Sequence, residues 1–247
     1  MRITFFGSSS GSPGPNMKCS CTLIEIGEKK YIIDLGTILI EQLANRNINI
    51  AEINALFVTH MHRDHTDGLP SYYLRLHSPY GKLADPDIFL PGPIDPIIDA
   101  LKAWRLCNGA TPESVFRPIK FHEVQEGEIF NDGTLKVTAL PTKHSEVLNC
   151  YSYLLEAEGK RIFFSGDFNR QPDEEFHYEI LDEQLDLAVC ELGHFKAEKY
   201  GIIFAEKPPK KLIINHISKK NMASAYDFCR TSEFPTELAH DGMVVDV

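Results

Sequence analysis

Hydrophobic residues along the chain form short strand-like runs that are separated by longer amphipathic segments. Strand-like runs with two-residue alternation or continuous apolar character fall at 2–7, 21–27, 30–34, 53–58, 86–90, 119–124, 134–140, 150–157, 161–165, 185–190, 211–215 and 243–246. Helical patterns fall at 37–48, 68–77, 94–106, 174–183, 195–206 and 220–230. The first half is strand-rich and the second half alternates strands with helices. This mixture predicts an α/β (α+β) protein in which helices cover sheets.

The pattern contains no internal repeat and no linker. The loosest segment is the stretch rich in Gly, Ser and Pro at 7–15, which reads as a loop after the first strand. A length of 247 residues suits one large domain. We therefore predict a single domain over residues 1–247.

Charge and hydropathy narrow the choice of partner and compartment. The formal net charge is −10, from 35 acidic and 25 basic side chains, which argues against a long nucleic acid because that partner needs clustered Lys and Arg. A small anionic substrate remains compatible if a bound metal supplies local positive charge. No run of about 18 apolar residues and no signal-peptide core is present, so we expect no membrane partner and a cytoplasmic location.

Candidate metal ligands cluster directly after the strand-like run at 53–58. The sequence there continues Thr-His-Met-His-Arg-Asp-His, which places His60, His62, Asp64 and His65 within six residues. A loop that leaves the end of a buried strand can turn these side chains toward one point. Imidazole and carboxylate are ligands that zinc, iron and manganese accept, so the cluster predicts a metal site.

This cluster resembles the signature His-x-His-x-Asp-His of the metallo-β-lactamase-fold hydrolases. Further elements of that family are matched in order, each near the end of a strand-like run: Asp34, His144, Asp167 and His216. Taken alone, Asp167 would read as a turn aspartate, and His144 as a loop residue. The ordered set implies a four-layer αββα sandwich in which two central mixed sheets are covered by helices.

The resemblance also implies two divalent metal ions that share Asp167. The first ion would be held by His60, His62 and His144, and the second by Asp64, His65 and His216. Zinc is the first expectation, with manganese or iron as alternatives. Asp34 would orient a ligand histidine from outside the metal site, although an aspartate that caps the turn at 35–36 is a nearly equal alternative.

A finer resemblance is to the ribonuclease Z-like branch, which includes cyclic-phosphate phosphodiesterases. It rests on the stretches around the His cluster, around His144 and His216, and on Glu-Leu-Gly-His at 191–194. In that branch a histidine at the position of His194 assists catalysis, and Glu191 could polarise it; the alternative is a surface histidine that opens a helix. Only residues 145–166 lie between His144 and Asp167, which leaves no room for the RNA-gripping arm of ribonuclease Z.

The first functional hypothesis is a dinuclear phosphodiesterase that acts on a small or cyclic phosphodiester by attack of a metal-bridging hydroxide. Asp64 and His194 are its expected catalytic residues, since Asp64 would bind the second ion and steer the hydroxide. The alternatives are a thioesterase, lactonase or other carboxylic ester hydrolase with the same ligands, and a catalytically silent binding protein. The branch often forms homodimers, so a homodimer is possible. Residues 70–118 include several aromatic side chains that could contact substrate or simply pack in the core.

Overall fold

Two seven-stranded mixed sheets form the centre of the molecule in a computed structural model, which describes residues 1–78, 83–111 and 118–247. The first sheet contains β1 (Arg2–Gly7), β2 (Cys21–Ile26), β3 (Lys29–Ile33), β4 (Ile53–Phe57), β5 (Asp87–Pro91), β6 (Lys120–Val124) and β14 (Val244–Asp246). The second sheet contains β7 (Gly127–Asn131), β8 (Lys136–Thr142), β9 (Cys150–Ala157), β10 (Lys160–Phe164), β11 (Leu187–Leu192), β12 (Leu212–Ile217) and β13 (Thr236–Leu238).

Each sheet has an antiparallel part and a parallel part. The orders are β14-β1-β2-β3-β4-β5-β6 and β13-β12-β11-β10-β9-β8-β7. In the first sheet β3, β4, β5 and β6 are parallel, and in the second sheet β10, β11, β12 and β13 are parallel. Functional side chains in such sheets sit at the carboxyl ends of parallel strands, where the chain leaves the sheet. The strand β14 returns to pair with β1, so the last strand completes the first sheet.

Within the described residues the chain forms seven α-helices, and five of them cover the outer faces of the sheets. The seven helices are α1 (Leu39–Ala44), α2 (Arg63–Thr66), α3 (Leu69–Leu76), α4 (Ile94–Cys107), α5 (Pro172–Glu175), α6 (Glu198–Ile203) and α7 (Met222–Thr231). Side chains of α1, α3 and α4 share one apolar cluster with the outer face of the first sheet. Side chains of α6 and α7 share a second cluster with the outer face of the second sheet.

A third apolar cluster fills the space between the two sheets. It joins first-sheet residues such as Phe5 and Phe57 to second-sheet residues such as Tyr153 and Ile213. Along β12, Ile213 faces this inter-sheet core whereas Leu212 and Ile214 face the helices, as two-residue alternation requires. The layers therefore run helix, sheet, sheet, helix, which confirms the predicted αββα sandwich. A single domain over residues 1–247 stays a prediction.

The structure corrects three details of the predicted elements. The predicted helix at 174–183 is wrong, because the structure has the four-residue helix α5 and then a 3₁₀ turn at Tyr178–Asp182. The strand β7 was not predicted, although it pairs with β8 through a turn that contains Asp132 and Gly133, which is a hairpin signal. The strand β13 was also missed, since its three residues are too few to show alternation. Within the described ranges, no helix is long and apolar enough to cross a membrane.

Candidate metal centre

The first sheet supplies four of the candidate ligands from one short segment. The chain leaves β4 and continues through Thr59 to His60 and His62. The single-turn helix α2 follows and carries Asp64 and His65. His60 and His65 are buried, with 0% and 1% exposure, whereas His62 is exposed. The segment therefore forms one wall of a pocket between the sheets.

The second sheet supplies the remaining ligands from three separate strands. His144 follows β8, and Asp167 follows β10. His216 lies inside β12, where the register with β11 shifts, so that Asn215 and Ile217 pair with β11 and His216 is the extra residue. Its φ of +47° is unusual for a non-glycine residue, and such a bulge re-aims a side chain. The predicted ligands thus meet at one end of the sandwich, where segments from both sheets come together.

One group of ligand atoms forms around His62. Its Nδ1 lies 3.0 Å from His60 Nε2 and 3.1 Å from His144 Nε2. Asp167 Oδ2 lies 3.8 Å from both His60 Nε2 and His144 Nε2. These are the residues that the resemblance assigns to the first ion, and the structure brings them together.

A second group forms on the other side of Asp167. Asp64 Oδ2 lies 3.1 Å from His216 Nε2 and 3.9 Å from His65 Nε2. Asp167 Oδ1 lies 3.4 Å from His65 Nε2. The two oxygens of Asp167 therefore face different groups, which is the arrangement expected of a carboxylate shared by two cations.

Unpartnered polar atoms indicate that these residues fit divalent cations. His65 Nε2, Asp167 Oδ1 and His216 Nδ1 are buried and have no hydrogen-bond partner within the described part of the chain. Buried polar atoms are normally paired, since desolvation without a partner is costly. Ligand atoms of His60, His62 and His144, and those of Asp64, His65 and His216, each lie within 4.8 Å of one another. The donor set and its unmet bonding capacity both suit a metal centre.

The charges of the pocket keep its carboxylates ionised. Burial acts to raise the pKa of Asp167, but the facing histidines, above all His216 and His65, hold it well below its usual range. Burial acts in the same direction on Asp64, and its hydrogen bond with His216 lowers the pKa of that carboxyl overall. Burial lowers the pKa of His60 well below its usual value. Anionic carboxylates and a neutral imidazole are the forms in which these residues bind metals.

A buried hydrogen-bond network behind the first-sheet ligands contains Asp34. Its Oδ2 lies 2.8 Å from His65 Nδ1, and its Oδ1 accepts the backbone N–H of Thr59 at 2.8 Å. The Thr59 hydroxyl lies 3.1 Å from the same carboxylate and 3.2 Å from His60 Nδ1. The structure thus places Asp34 against His65, a candidate ligand, as the orienting role requires. The sequence prediction missed Thr59, which links His60 to Asp34; its position directly before the histidine cluster was the available signal.

His194 stands beside both ligand groups and is held by Glu191. Its Nδ1 lies 2.9 Å from Glu191 Oε1, and its ring centroid lies 4.6 Å from that of His144. Glu191 is 2% exposed and also accepts the backbone N–H of Phe168 at 3.0 Å and of Gly193 at 2.5 Å. Burial acts to lower the pKa of His194, but the hydrogen bond to Glu191 raises it overall. The contact between Glu191 and His194 that the resemblance implied is present.

The aromatic residues at 70–118 lie in different environments where the structure describes them. Tyr72 and Tyr73 are buried in the cluster between the helices and the first sheet, so core packing explains both. Trp104 on α4 is half-exposed. A further aromatic residue of this segment, Tyr80, lies outside the described residues.

Comparison with known proteins gives the family. Residues 1–207 match the family model described as anti-Pycsar protein Apyc1. Ribonuclease BN of Escherichia coli is 30% identical over 164 residues, which cover 65% of this chain and 51% of that protein. The chain therefore spans about half the length of the curated relatives it matches.

Two solved structures are similar over nearly the whole chain. The metallo-β-lactamase-fold protein YhfI from Bacillus subtilis aligns with a TM-score of 0.78 at 17% identity and covers 99% of both chains. The short form of human tRNase Z aligns with a TM-score of 0.73 at 18% identity and covers 100% of this chain and 99% of that chain. The predicted fold and the resemblance to the ribonuclease Z-like branch are confirmed. The chain is a metallo-β-lactamase-fold protein that belongs to the anti-Pycsar protein Apyc1 family.

Proposed function

We propose that the protein is a dinuclear metal-dependent phosphodiesterase that acts on a small or cyclic phosphodiester. The observation that carries this proposal is an additional imidazole, that of His194, beside a ring of seven candidate ligands. Hydrolysis of a carboxylic ester at a metal centre needs no such group in principle. A phosphodiester, however, places charge on several oxygens at once, and an additional donor beside the metals can stabilise that charge or protonate the leaving oxygen.

Two divalent ions suit the two groups around Asp167, with zinc as the first expectation. His60, His62, His144 and Asp167 would hold the first ion, and Asp64, His65, His216 and Asp167 the second. Bound there, the ions would lower the pKa of a water molecule toward neutrality and neutralise charge on the phosphoryl oxygens. Asp64 and Asp167 supply the negative charge that holds the cations in place.

Glu191 and Asp34 orient the histidine rings that they contact. Glu191 engages Nδ1 of His194, which leaves Nε2 as the ring nitrogen that can face a substrate and hold or deliver a proton there. Asp34 fixes the ring of His65 through Nδ1, so that Nε2 is aimed at the pocket. Since Glu191 and Asp34 are themselves buried and hydrogen-bonded, both rings are held before substrate arrives.

The expected substrate is small. The name of ribonuclease BN supports phosphodiester chemistry, but residues 145–166 are occupied here by a short loop, β9, a tight turn and β10. No inserted arm that could grip RNA fits in that stretch, and the net charge of −10 disfavours a long polyanion. A cytoplasmic location and a homodimer are further parts of this proposal.

A substrate panel tests the proposal. After elemental analysis, the protein is assayed with zinc or manganese against bis(p-nitrophenyl) phosphate, cyclic nucleotides, phosphomonoesters, thioesters and lactones. We expect turnover of the phosphodiesters. Hydrolysis of lactones or thioesters alone would show the carboxylic ester chemistry instead, and protein that takes up no metal would indicate a binding protein.

The variant His194→Ala separates these chemistries further. We expect a loss of phosphodiesterase turnover of about 10²-fold or more with metal content retained, because removal of one proton-transfer group costs about that factor. The matched control is His122→Ala, which removes an exposed histidine from the edge strand β6. Equal activity of His194→Ala and the control would refute the role of His194.

A further inference from the structure

Two ligand loops of the second sheet must be held together across an intervening strand. His144 follows β8 and Asp167 follows β10, but β9 lies between these strands. Strands two positions apart are separated by about 10 Å in the hydrogen-bonding direction. The sheet alone therefore does not bring His144 Nε2 to its observed 3.8 Å from Asp167 Oδ2.

Hydrogen bonds outside the sheet join these two loops directly. The Thr142 hydroxyl donates to the carbonyl oxygen of Asp167 at 3.0 Å. His144 Nδ1 lies 3.0 Å from the carbonyl oxygen of Phe168. The contacts run from the end of β8 and the loop after it to the loop after β10, so the position of each ligand depends on the other loop.

A buried carboxylate, Glu175, connects the same two loops a second time. One oxygen, Oε2, accepts the backbone N–H of Lys143 at 2.5 Å, and the other, Oε1, accepts the backbone N–H of Asn169 at 2.5 Å. Lys143 directly precedes His144, and Asn169 follows Asp167 by two residues. Glu175 is 8% exposed, and it ends the short helix α5.

A carboxylate suits this position for a chemical reason. Both partners are N–H donors, so the side chain must present two acceptors, which an ionised carboxylate does and a carboxamide does not. Hydrogen bonds to a charged acceptor are also shorter and stronger than neutral ones. In Glu175→Gln, one backbone N–H would face an oxygen and the other would face the NH₂ group, which is a second donor.

We propose that Glu175 is a positioning residue that sets the separation between His144 and Asp167 and so assembles the site of the first ion. Glu191 also holds the loop after β10, through Phe168, but it makes no hydrogen bond to the loop of His144 among the described residues. Apart from the shared Asp167, whose loop Glu191 also holds through Phe168, the ligands of the second ion come from the first sheet and β12, to which Glu175 is not bonded. The inference rests on the proposed pair of metal ions and does not depend on whether the substrate is a phosphodiester.

The test compares Glu175→Gln with Glu174→Gln, which changes the exposed neighbouring residue in the same helix. Zinc affinities of the two sites are measured by competition with a chromogenic chelator, and the cobalt-substituted proteins are examined by visible absorption. We expect Glu175→Gln to weaken the first ion by about 10- to 100-fold, as is typical of residues that position ligands, and to leave the second within about threefold. The cobalt spectrum of the weakened site should change, and Glu174→Gln should match the wild type.

Each other outcome contradicts a defined part of the account. Equal weakening of both ions would show general loosening of the fold, and unchanged affinities and spectra would show no role; either result overturns the inference. A wild-type protein that binds fewer than two ions would refute the proposed metal centre itself. If Glu175→Gln does not fold, Glu175→Asp, which keeps the charge but is too short to reach both amides, should show the same selective weakening, and full affinity in that variant would overturn the inference.

Discussion

The two sheets deliver their candidate ligands in different ways. The first sheet provides His60, His62, Asp64 and His65 from one segment at the end of a single strand. The second sheet provides one ligand from each of three regions, the loops after β8 and β10 and the bulge in β12. Chain connectivity brings the first set together, whereas the second set depends on contacts between segments that are distant in sequence.

The supporting residues follow the same division. Behind the first set, Thr59 and Asp34 lie at the ends of the neighbouring parallel strands β4 and β3, so the sheet itself delivers them. Behind the second set, Glu191 bonds across the neighbouring strands β10 and β11 in the same way, but Glu175 joins the loops after β8 and β10, which the sheet does not join. We therefore expect changes in the second sheet to disturb the geometry of the site more readily than equivalent changes in the first.

The largest effect is expected where the two sets meet. Because the two oxygens of Asp167 face different groups, Asp167→Ala should weaken both ions and lower turnover by about 10³-fold or more, which corresponds to about 4 kcal/mol in the barrier. His62→Ala should weaken only the first ion. Elemental analysis and turnover measure both variants, with Asp99→Ala on the exposed face of α4 as the control. Retention of two tightly bound ions in Asp167→Ala would show that the carboxylate is not shared.

A smaller effect is expected behind the first set. Asp34→Asn leaves the size of the side chain unchanged but weakens its hydrogen bond to His65 Nδ1, so the second ion should bind about 10- to 100-fold more weakly. Chelator competition gives the affinity of each ion. If the first ion weakened instead, the assignment of His65 to the second group would be incorrect.

Backbone packing under Asp167 gives a prediction about stability. Gly166 has a φ of +54°, and a Cβ there would lie 2.5 Å from the carbonyl oxygen of Tyr151. Gly27 has a similar φ of +57° but nothing within 4 Å of the same position. Gly27→Ala should therefore cost about 1 kcal/mol from backbone strain alone, and Gly166→Ala roughly 1 to 3 kcal/mol more from the clash.

Urea denaturation of both alanine variants measures this difference as a shift in midpoint. Gly166→Ala should also bind metal more weakly, since the clash displaces the residue that precedes Asp167. Equal midpoints for the two variants would mean that the loop after β10 adapts freely, which would remove the distinction drawn between the sheets.

The smallest effect concerns a contact between the sheets away from the metal centre. Asp132, in the turn after β7, binds Lys29 Nζ at 2.6 Å and the Tyr31 hydroxyl at 2.8 Å. Burial acts to raise the pKa of Asp132, but its hydrogen bonds, first that from Lys29, lower it to about 2. A carboxyl with a lowered pKa contributes its full stabilisation when the pH is above its pKa in the unfolded chain, about 3.9. This contribution is lost as the pH falls through about 2, the pKa in the folded protein.

Asp132→Asn should therefore reduce the free energy of unfolding at pH 7 by about 1 to 2 kcal/mol, after allowance for solvent at this partly exposed pair. The difference from the wild type should shrink below about pH 4 and disappear below about pH 2. Metal affinities should stay unchanged, which separates stability in general from positioning of the ligands. A loss of metal affinity in this variant would show that the pocket depends on the packing of the sheets as a whole.

The contrast between ligands that are close together and ligands that are far apart along the chain explains what could be predicted from the sequence. The spacing of His60, His62, Asp64 and His65 is local, so it indicates a metal site without any knowledge of the fold. His144, Asp167 and His216 are isolated along the chain, and only the order of family elements pointed to them. Glu175 gave no local signal at all, because its partners are backbone amides of two other loops. The αββα layers were predictable from the strand and helix patterns together with the resemblance, whereas short elements such as β13 were not.

The most direct test of the account is the anomalous diffraction of crystals of the zinc-loaded protein, recorded on either side of the zinc absorption edge. We predict two peaks about 3.5 to 4 Å apart, one on each side of the Asp167 carboxylate, with His62 beside one and His65 beside the other. A single peak, or zinc bound elsewhere while these seven side chains remain without it, would contradict the account.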